Sequence, residues 1–420
     1  MITRCLSALL AIAPPDANPA AVAPEPAPTT EAAPAPAAER DPRAVFEAVT
    51  KVVAPTVLLE TDYRVFSDPS EGRSGLALGR ARLGLRLRPT DWLTAVGTAE
   101  FIGPDGPYLL DGYARFDATP WLQITVGYSK PPLFASFRHE SITAVPMPVR
   151  SAVVNEMRVR RDVGVEARFA PRRIPIEAIV RVGNGSTALR GDEDPTPAGY
   201  AALDLVLGRA WVGADDRSLG RTLGLRLGGA AMVDSQSEHA TIAGATPLGF
   251  VYSPGIAVTG LRVIATAHVI AYAGPVRLVV EGGFAQEGRE DDPDGDPSTP
   301  PVALDPVRSW GLTGELLWTI RGGWREVGGR PGVASVLARP WDGGVVELAA
   351  RADRFWLGYG AVELARTGGT TGSLGLKWWP TPFLALAGYG EATRFEISPI
   401  DTPDRLWGWA AMIRASLFWP

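Results

Sequence analysis

Cysteine is almost absent from this chain: the single thiol, Cys5, lies at the extreme N-terminus. One cysteine cannot form an intrachain disulfide, and it cannot build a thiolate zinc site. Histidine is equally scarce, with three residues in 420. His139 precedes Glu140, but Thr143 stands where a zinc-binding His-Glu-x-x-His helix has its second histidine. We therefore expect no metal site and no cofactor.

Motifs of several enzyme classes are also missing. The sequence contains no phosphate-binding Gly-x-x-x-x-Gly-Lys-Ser/Thr loop and no Gly-x-Ser-x-Gly nucleophile turn. The net charge of −5 gives no basis for a nucleic-acid partner. No apolar run approaches the roughly 20 residues of a membrane-spanning helix. These absences favour a protein that is not an enzyme and does not cross a membrane with helices.

The N-terminal region differs in composition from the rest. Residues 1–23 combine Arg4 with a short apolar stretch and predict a secretory signal peptide, with cleavage after Ala13 or Ala23. Residues 24–50 are rich in alanine and proline, which predicts a disordered linker because such a segment cannot bury a core. From residue 51 to residue 420 the sequence has the pattern of strands and turns.

Three segments share one pattern, in which an alternating strand enters a short Pro/Thr turn and the chain leaves on an aromatic residue. They are residues 83–97, 112–127 and 374–390. From Arg80 to Arg88 the even positions hold four arginines, and the odd positions hold alanine and leucines. Successive residues of a strand point to opposite faces, so one face needs a polar environment and the other an apolar one. A soluble sheet meets this need, and so does a membrane barrel with its apolar face on lipid.

The connections between the predicted strands separate these alternatives. Short ones, such as residues 89–91 and 380–382, alternate along the chain with long ones, such as residues 129–159 and 233–258. Short turns at one end and long loops at the other are typical of an outer-membrane barrel. We predict an all-β fold, a transmembrane antiparallel up-and-down β-barrel of about 16 strands. A further short segment near residues 333–337 leaves the strand count open by two.

One stretch carries a series of motifs in a fixed order. A strand ends on a Gly-x-x-Lys-x-Pro motif, a long loop contains Pro-x-x-Arg-Ser, and the next strand opens with Arg-Asp-Val-Gly-Val. These motifs are Gly127, Lys130 and Pro132, then Pro148, Arg150 and Ser151, then residues 161–165. They resemble the phosphate-selective porin O and P family, and residues 344–351 and 373–380 are similar to the last hairpins of that family.

The resemblance spans roughly residues 52–420 and is weakest in the middle third. It implies a sixteen-stranded barrel, usually trimeric, whose long third loop folds inward and narrows the pore. By position that inward loop is residues 129–159. Anion selection in the best-known members is attributed to lysines in the lumen, but only Lys130 and Lys377 lie within the predicted barrel. Arginine can also bind phosphate bidentately, and arginines line several of the predicted inward faces, which acidic residues share.

Three sets of side chains are candidate functional residues. The predicted constriction loop carries Lys130, Arg138, His139, Glu140, Arg150, Glu156 and Arg158. Strand parity places on the lumen wall Arg80, Arg82, Arg86, Arg88, Arg115, Arg160, Arg168, Arg181 and Arg226. Five aromatic residues beside short turns are expected in a girdle at the periplasmic interface: Trp92, Trp121, Trp378, Trp379 and Phe383. The wall arginines either steer anions or pair with acids such as Asp111, Glu166 and Glu177.

The favoured hypothesis is a porin of a Gram-negative outer membrane that passes small hydrophilic solutes, with a preference for anions such as phosphate or other oxyanions. The alternative is a structural or plugged barrel without an open channel. A barrel enzyme is a third hypothesis, but the histidines sit in no recognisable catalytic arrangement. The expected partners are outer-membrane lipid and lipopolysaccharide, the barrel-assembly machinery, permeating solutes and further copies of the chain in a homotrimer.

Overall fold

The structure is a computed structural model, and the residues it describes belong to one compact unit, Glu47–Pro420. The described residues are 52–103, 106–140, 145–185, 196–208, 223–291, 302–323, 344–359, 367–397, 399 and 405–419. The predicted signal peptide and linker lie outside them, and so does the additional segment predicted near residues 333–337.

Within the described residues, sixteen strands form a closed antiparallel barrel. The strands are β1 (Val53–Phe66), β2 (Gly75–Thr90), β3 (Leu93–Glu100), β4 (Tyr108–Thr119), β5 (Leu122–Ser129), β6 (Asp162–Phe169), β7 (Ile176–Gly183), β8 (Ala198–Gly208), β9 (Leu223–Ala240), β10 (Gly244–Ala245), β11 (Val251–Ser253), β12 (Ala257–Ala273), β13 (Val276–Asp291), β14 (Val302–Arg321), β15 (Val345–Tyr359), β16 (Thr367–Thr381), β17 (Leu384–Phe395) and β18 (Trp407–Trp419). Strands β10 and β11 pair only with each other, and β18 pairs with β1 to close the barrel. The predicted fold class is confirmed.

Two short helices interrupt the connection between β5 and β6. They are α1 (Ala135–His139) and α2 (Ala152–Met157). The hydroxyl of Ser151 accepts a hydrogen bond from the amide of Val154 and so caps the start of α2. Among the described residues, no helix is long and apolar enough to cross a membrane.

The barrel wall has an apolar outside and a polar inside. In β16, Leu374 and Leu376 are 64% and 51% exposed, whereas their neighbours Ser373 and Lys377 are buried on the inner face. Leucine, valine and tryptophan dominate the large exposed apolar residues of the other strands in the same way. A wall that presents so much apolar surface is stable in a lipid environment, and ring closure leaves no strand edge unpaired there.

Threonine side chains build two of the predicted tight turns. The hydroxyl of Thr119 accepts hydrogen bonds from the amides of Trp121 and Leu122. The hydroxyl of Thr381 does the same for Phe383 and Leu384. These bonds satisfy amides that the turn removes from the strand ladder, which explains the recurring Thr in the sequence. The third hairpin joins β2 to β3 after Thr90, so all three predicted hairpins are confirmed.

Two segments fold into the lumen and bury an apolar core there. One comprises residues 130–140 and 145–161, named here the inward loop, and the other is the β10–β11 hairpin with its flanks, residues 241–256. Their core residues pack against inward side chains of β8, β9, β12, β13, β15 and β17. From the inward loop and the hairpin, that core includes Leu133, Phe134, Phe137, Val153, Met157, Ile242, Phe250 and Tyr252.

The filling of the lumen is uneven around the barrel. The inward residues are all buried from Val345 to Leu357 in β15, from Gly369 to Trp379 in β16 and from Ala385 to Phe395 in β17. On the opposite wall, Arg86 is exposed, and the inward side chains of Arg115 and Arg168 are 39% and 36% exposed. The lumen therefore has a packed half and a hydrated half.

Candidate functional site

Three basic side chains of the wall hold the inward loop by its carbonyl groups. Arg351 of β15 donates to the carbonyl of Val149 at 2.8 Å, and Lys377 of β16 donates to that of Val145 at 3.1 Å. Arg414 of β18 donates to the carbonyl of Pro148. All three donors are buried, so each bond replaces water that the donor lost on folding. The segment between residues 145 and 149 is thereby tied to one side of the barrel.

Acidic wall residues hold the first helix of the loop. The carboxylate of Glu281 in β13 accepts from the amide of Ser136 at 2.8 Å. Glu140, which follows α1, forms an ion pair with Arg277 of β13. Arg277 also lies 3.3 Å from Glu315 of β14. The predicted constriction residue Glu140 is thus a structural anchor with its charge neutralised.

Asp204 of β8 is the centre of a charged cluster that includes His139 and also His268 of β12, whose Nε2 lies 3.3 Å from Asp204 Oδ1. Arg138 of the inward loop and Arg226 of β9 both donate to Asp204 Oδ2. Both guanidinium groups also donate to Nε2 of His139, each at 2.8 Å. An imidazole nitrogen that accepts two hydrogen bonds carries no proton, so His139 is neutral. Burial, with the positive charge of Arg138, lowers the pKa of His139 to about 3.

The same cluster contains a triplet of groups that could ligate a metal. Ligand atoms of His139, Glu177 and Asp204 lie within 4.8 Å of one another. However, Arg138 and Arg226 already donate to Nε2 of His139 and to Oδ2 of Asp204, and Arg226 lies 3.5 Å from Glu177. The arrangement favours a network of ion pairs over a metal site because the carboxylates are already neutralised.

Four cations of the inward loop and its end surround the ring of Phe137. The distances to the ring centroid are 4.8 Å from Lys130 Nζ, 5.3 Å from Arg150 Cζ, 4.5 Å from Arg158 Cζ and 5.6 Å from Arg161 Cζ. Such distances are those of cation–π contacts. We call these five residues the Phe137 cluster.

Burial dominates the electrostatics of the Phe137 cluster. It lowers the pKa of Lys130 and of Arg158 well below their ordinary values, and the charge of Arg150 adds to the effect on both. Burial also lowers the pKa of Arg150 to about 10 and raises that of Glu156. The four cations are crowded in a place that opposes positive charge.

Most wall arginines pair with acids on the same inner face. Arg80 pairs with Glu60, Arg82 with Glu100, and Arg226 with Asp204. Further contacts are Arg115–Asp117 at 3.5 Å, Arg168–Glu177 at 2.8 Å and Arg181–Glu166 at 3.7 Å. Arg88 reaches only the carbonyl of Asp91, and within the described residues Arg86 and Arg160 have no acidic group within 4.0 Å. The paired arginines therefore fit the predicted role of pairing with acids, and Arg86, Arg88 and Arg160 remain candidates for the predicted role of steering anions.

Four of the five predicted girdle aromatics contribute to the outer surface near the short turns. Trp92 stacks on Phe116, Trp121 contacts Phe169, and Phe383 stacks on Trp419. Trp378 is partly exposed on the outer face. Trp379 corrects the prediction: it points into the barrel with no exposed surface, because adjacent strand residues face opposite ways. Its indole donates to Glu347 and stacks on Phe418.

The sequence reading did not identify the residues that shape the lumen most. The anchors Arg351, Lys377 and Arg414 and the inward hairpin at residues 241–256 were not among the candidates. Strand parity could have found the anchors, since all three are basic residues on an inward face. The apolar residues Ile242, Phe250 and Tyr252 in a long loop were the available sign of the hairpin.

A closed 16-stranded antiparallel barrel with a lipid-compatible outside, a charged inside and a folded-in loop has the architecture of an outer-membrane β-barrel. The chain is a protein of that class, and its localisation is the bacterial outer membrane.

Comparison with known proteins supports the same fold. No protein-family model and no curated protein matches the sequence. Among solved structures, an anion-selective porin from Comamonas acidovorans matches with a TM-score of 0.56 and 12% identity over 87% of this chain and 99% of the other. The outer-membrane channel DcaP of Acinetobacter baumannii gives 0.54 and 10% over 87% and 97%. OmpT of Vibrio cholerae, an outer-membrane protein in its trimer form, gives 0.53 and 14% over 87% and 99%.

Proposed function

We propose that this protein is an outer-membrane porin for the passive diffusion of small hydrophilic solutes. The observation that carries the proposal is the hydrated half of the lumen. Inward charged side chains of β2, β4 and β6 are exposed there, whereas those of β15 to β17 are buried under the inward loop and the hairpin. A solute would pass between this exposed wall and the inward loop, with no covalent step.

The charge along this passage supports a preference for anions. Arg86 and Arg160 have no acidic partner within 4.0 Å among the described residues, and Arg115 and Arg168 remain more than a third exposed beside theirs. Unbalanced positive charge in a narrow hydrated space raises the local concentration of anions. The abundance of pairs elsewhere argues for a general preference rather than a dedicated phosphate filter. We also propose that the barrel assembles as a homotrimer in lipopolysaccharide-containing membrane after insertion by the barrel-assembly machinery.

Planar-bilayer recording of the purified, detergent-refolded protein tests the proposal. Ohmic single channels are expected, with a reversal potential in a KCl gradient that has the sign of chloride preference. Replacing Arg86 with glutamine should shift the reversal potential towards potassium, whereas Arg173→Gln, an exposed residue in the turn after β6, should leave it in place. A folded barrel that carries no current would refute the porin.

One feature favours the second candidate, a plugged or structural barrel. The inward loop and the hairpin together bury a continuous apolar core across the lumen. If these segments also close the hydrated half in the membrane, bilayers containing folded protein will stay silent under all salt conditions. The recording therefore distinguishes the two candidates directly.

A further inference from the structure

The outer wall of the packed half has a groove paved with small residues. One row of outward residues in direct register across β14 to β18 is Gly314, Ala352, Gly372, Ala392 and Trp409. The neighbouring row towards the tight β16–β17 turn is Leu316, Ala350, Leu374, Gly390 and Ala411. Together the two rows line an open apolar groove of about 810 Å³, which we call the outer groove.

The floor of the outer groove is low because its glycines carry no side chain. A Cβ atom added at Gly314, Gly372 or Gly390 would meet no other atom within 4 Å. Beside them, Leu374 and Trp409 are more than half exposed and stand above the floor. Lipid chains are as apolar as leucine, so packing rather than hydrophobic transfer decides what occupies such a groove in a membrane. A hydrocarbon chain laid along the floor recovers the dispersion contacts that an unfilled groove forfeits.

A basic row borders the outer groove on the side away from the tight β16–β17 turn. It lies two residues, about 7 Å, farther along the strands and comprises Leu312, Arg354, Thr370, Arg394 and Trp407. The charge of Arg354 is balanced, because this residue pairs with Glu396. Arg394 is exposed, and within the described residues it has no acidic group within 4.0 Å. An uncompensated positive charge thus stands at one end of an apolar groove.

The position of this row in the wall indicates which part of a membrane it meets. The opposite end of β16 and β17 is the tight turn between Thr381 and Leu384, and outer-membrane barrels have their short turns on the periplasmic side. Arg394 and Trp407 therefore lie towards the extracellular interface, at the level of the lipid headgroups, where tryptophan is enriched. A basic residue beside a surface that holds acyl chains recognises an anionic headgroup.

We propose that the outer groove binds one molecule of lipopolysaccharide, with an acyl chain in the groove and a headgroup phosphate on Arg394. The phosphate compensates the charge of Arg394. A second copy of the barrel on this face would take the same charge out of water without that compensation, so it is the poorer occupant. The inference rests on the fold and the outer-membrane localisation of the protein and does not require an open pore.

Native mass spectrometry of the detergent-refolded full chain, titrated with diphosphoryl lipid A, tests the groove. We expect one lipid to be retained per chain, with the affinity about tenfold lower in Gly372→Leu, whose side chain fills the groove. Gly199→Leu is the matched control: Gly199 is an exposed outward glycine of β8 at which an added Cβ also meets no atom within 4 Å. This variant should bind as the wild type does.

The headgroup contact is tested by Arg394→Gln, which should lower the affinity about fivefold, the contribution of one basic residue near an anionic lipid surface. Arg173→Gln, at an exposed residue in the turn after β6, is the control for loss of one positive charge and should leave the affinity unchanged. A phosphatidylcholine with acyl chains of the same length should bind more weakly than diphosphoryl lipid A. Heat-modifiable gel migration verifies that each variant is folded.

Equal affinities of Gly372→Leu and Gly199→Leu for diphosphoryl lipid A would overturn the proposal, and so would equal binding of the two lipids by the wild type. A wild-type trimer that becomes a monomer in Gly372→Leu would assign the groove to a second copy and overturn the lipid site. Bilayer recordings on the same samples separate these outcomes from failure of the porin function. A wild type that retains lipid A without conducting keeps the groove and loses the porin, whereas one that conducts without retaining lipid A keeps only the porin.

Discussion

Arg414 and Asp62 join the last strand of the barrel to the first by a bidentate ion pair. Nε of Arg414 lies 2.6 Å from Oδ1 of Asp62, and Nη2 lies 2.8 Å from Oδ2. The two residues are directly opposite in the β1–β18 register, and both are buried. The junction at which the last strand meets the first thus has a charged clasp, the Arg414–Asp62 ion pair, across its inner face.

Asp62→Asn is expected to weaken this closure. Removing one charge of a buried pair leaves the other charge without full compensation. We expect the free energy of unfolding to fall by about 3 kcal/mol, the lower end of the range for such pairs, because Glu60 remains near Arg414. Urea unfolding followed by tryptophan fluorescence measures the change. The matched control is Glu396→Gln, which breaks the more exposed Arg354–Glu396 pair and should cost less than about 1 kcal/mol. Equal losses in the two variants would contradict a special role for the clasp.

Lys377→Met is expected to loosen the inward loop. The substitution leaves the carbonyl of Val145 without the Lys377 donor, a penalty of about 1–3 kcal/mol that the loop can relieve by moving into the hydrated half. Single-channel conductance should then change in size and become noisier, while gel migration stays that of a folded barrel. Arg173→Met, at an exposed residue in the turn after β6, serves as the control. Unchanged, quiet channels in Lys377→Met would show that the other anchors suffice.

His139 should make the folded barrel less stable in acid. Its pKa is about 3 in the folded state against 6.5 in an unfolded chain, so the unfolded state binds the extra proton between these values. Stability contributed by the neutral ring is complete above pH 6.5 and declines as the pH falls towards 3. The imidazole of His139 is surrounded by other charged groups, namely Asp204, Glu177, Arg138 and Arg226. A variant that lacks the imidazole is therefore needed to separate the effect of His139 from theirs.

Urea midpoints at about pH 7.5 and about pH 4.5 should therefore be compared between the wild type and His139→Gln. Between these two pH values the free energy of unfolding of the wild type should fall by on the order of 2 kcal/mol more than that of the variant. The same loss in both proteins would mean that His139 already carries its proton when folded.

Substitution of the adjacent residues Trp378 and Trp379 should change the stability of the barrel in detergent to very different extents. Trp379→Ala empties a fully buried position and removes the donor to Glu347, so we expect a loss of about 3–5 kcal/mol. Trp378→Ala removes a partly exposed ring from the outer face and should change unfolding by much less. Urea unfolding with intrinsic fluorescence distinguishes the two. A larger loss for Trp378 would reverse the assignment of faces.

The strands and turns were predictable because their signals are local. Alternation placed Arg80 and Arg82 on the inner face, and Thr119 and Thr381 marked turns that their own hydroxyls build. Trp379 was misplaced because its position beside a turn suggested the aromatic girdle. It lies two residues from Lys377 on the same strand, so both side chains point inward, and both are buried.

The charged clusters could not be predicted in this way. Asp204 meets Arg138 across 66 residues and Arg226 across 22, and the sequence holds many acids that could have served either arginine. The choice of partner depends on the position of the inward loop. That position is set by the packing of the loop's apolar residues against the inner wall. Pairing across the lumen is a property of the closed barrel, so it is invisible in any single strand.

The uneven filling of the lumen also has a mechanical consequence. Close-packed side chains resist compression, whereas water does not hold its shape. The wall from β15 to β17 rests on a solid core, and the wall from β2 to β6 rests on solvent and includes strands of only eight residues. We therefore expect lateral pressure from a bilayer to deform the barrel mainly on the hydrated side, where the strands are short and no packed core supports them.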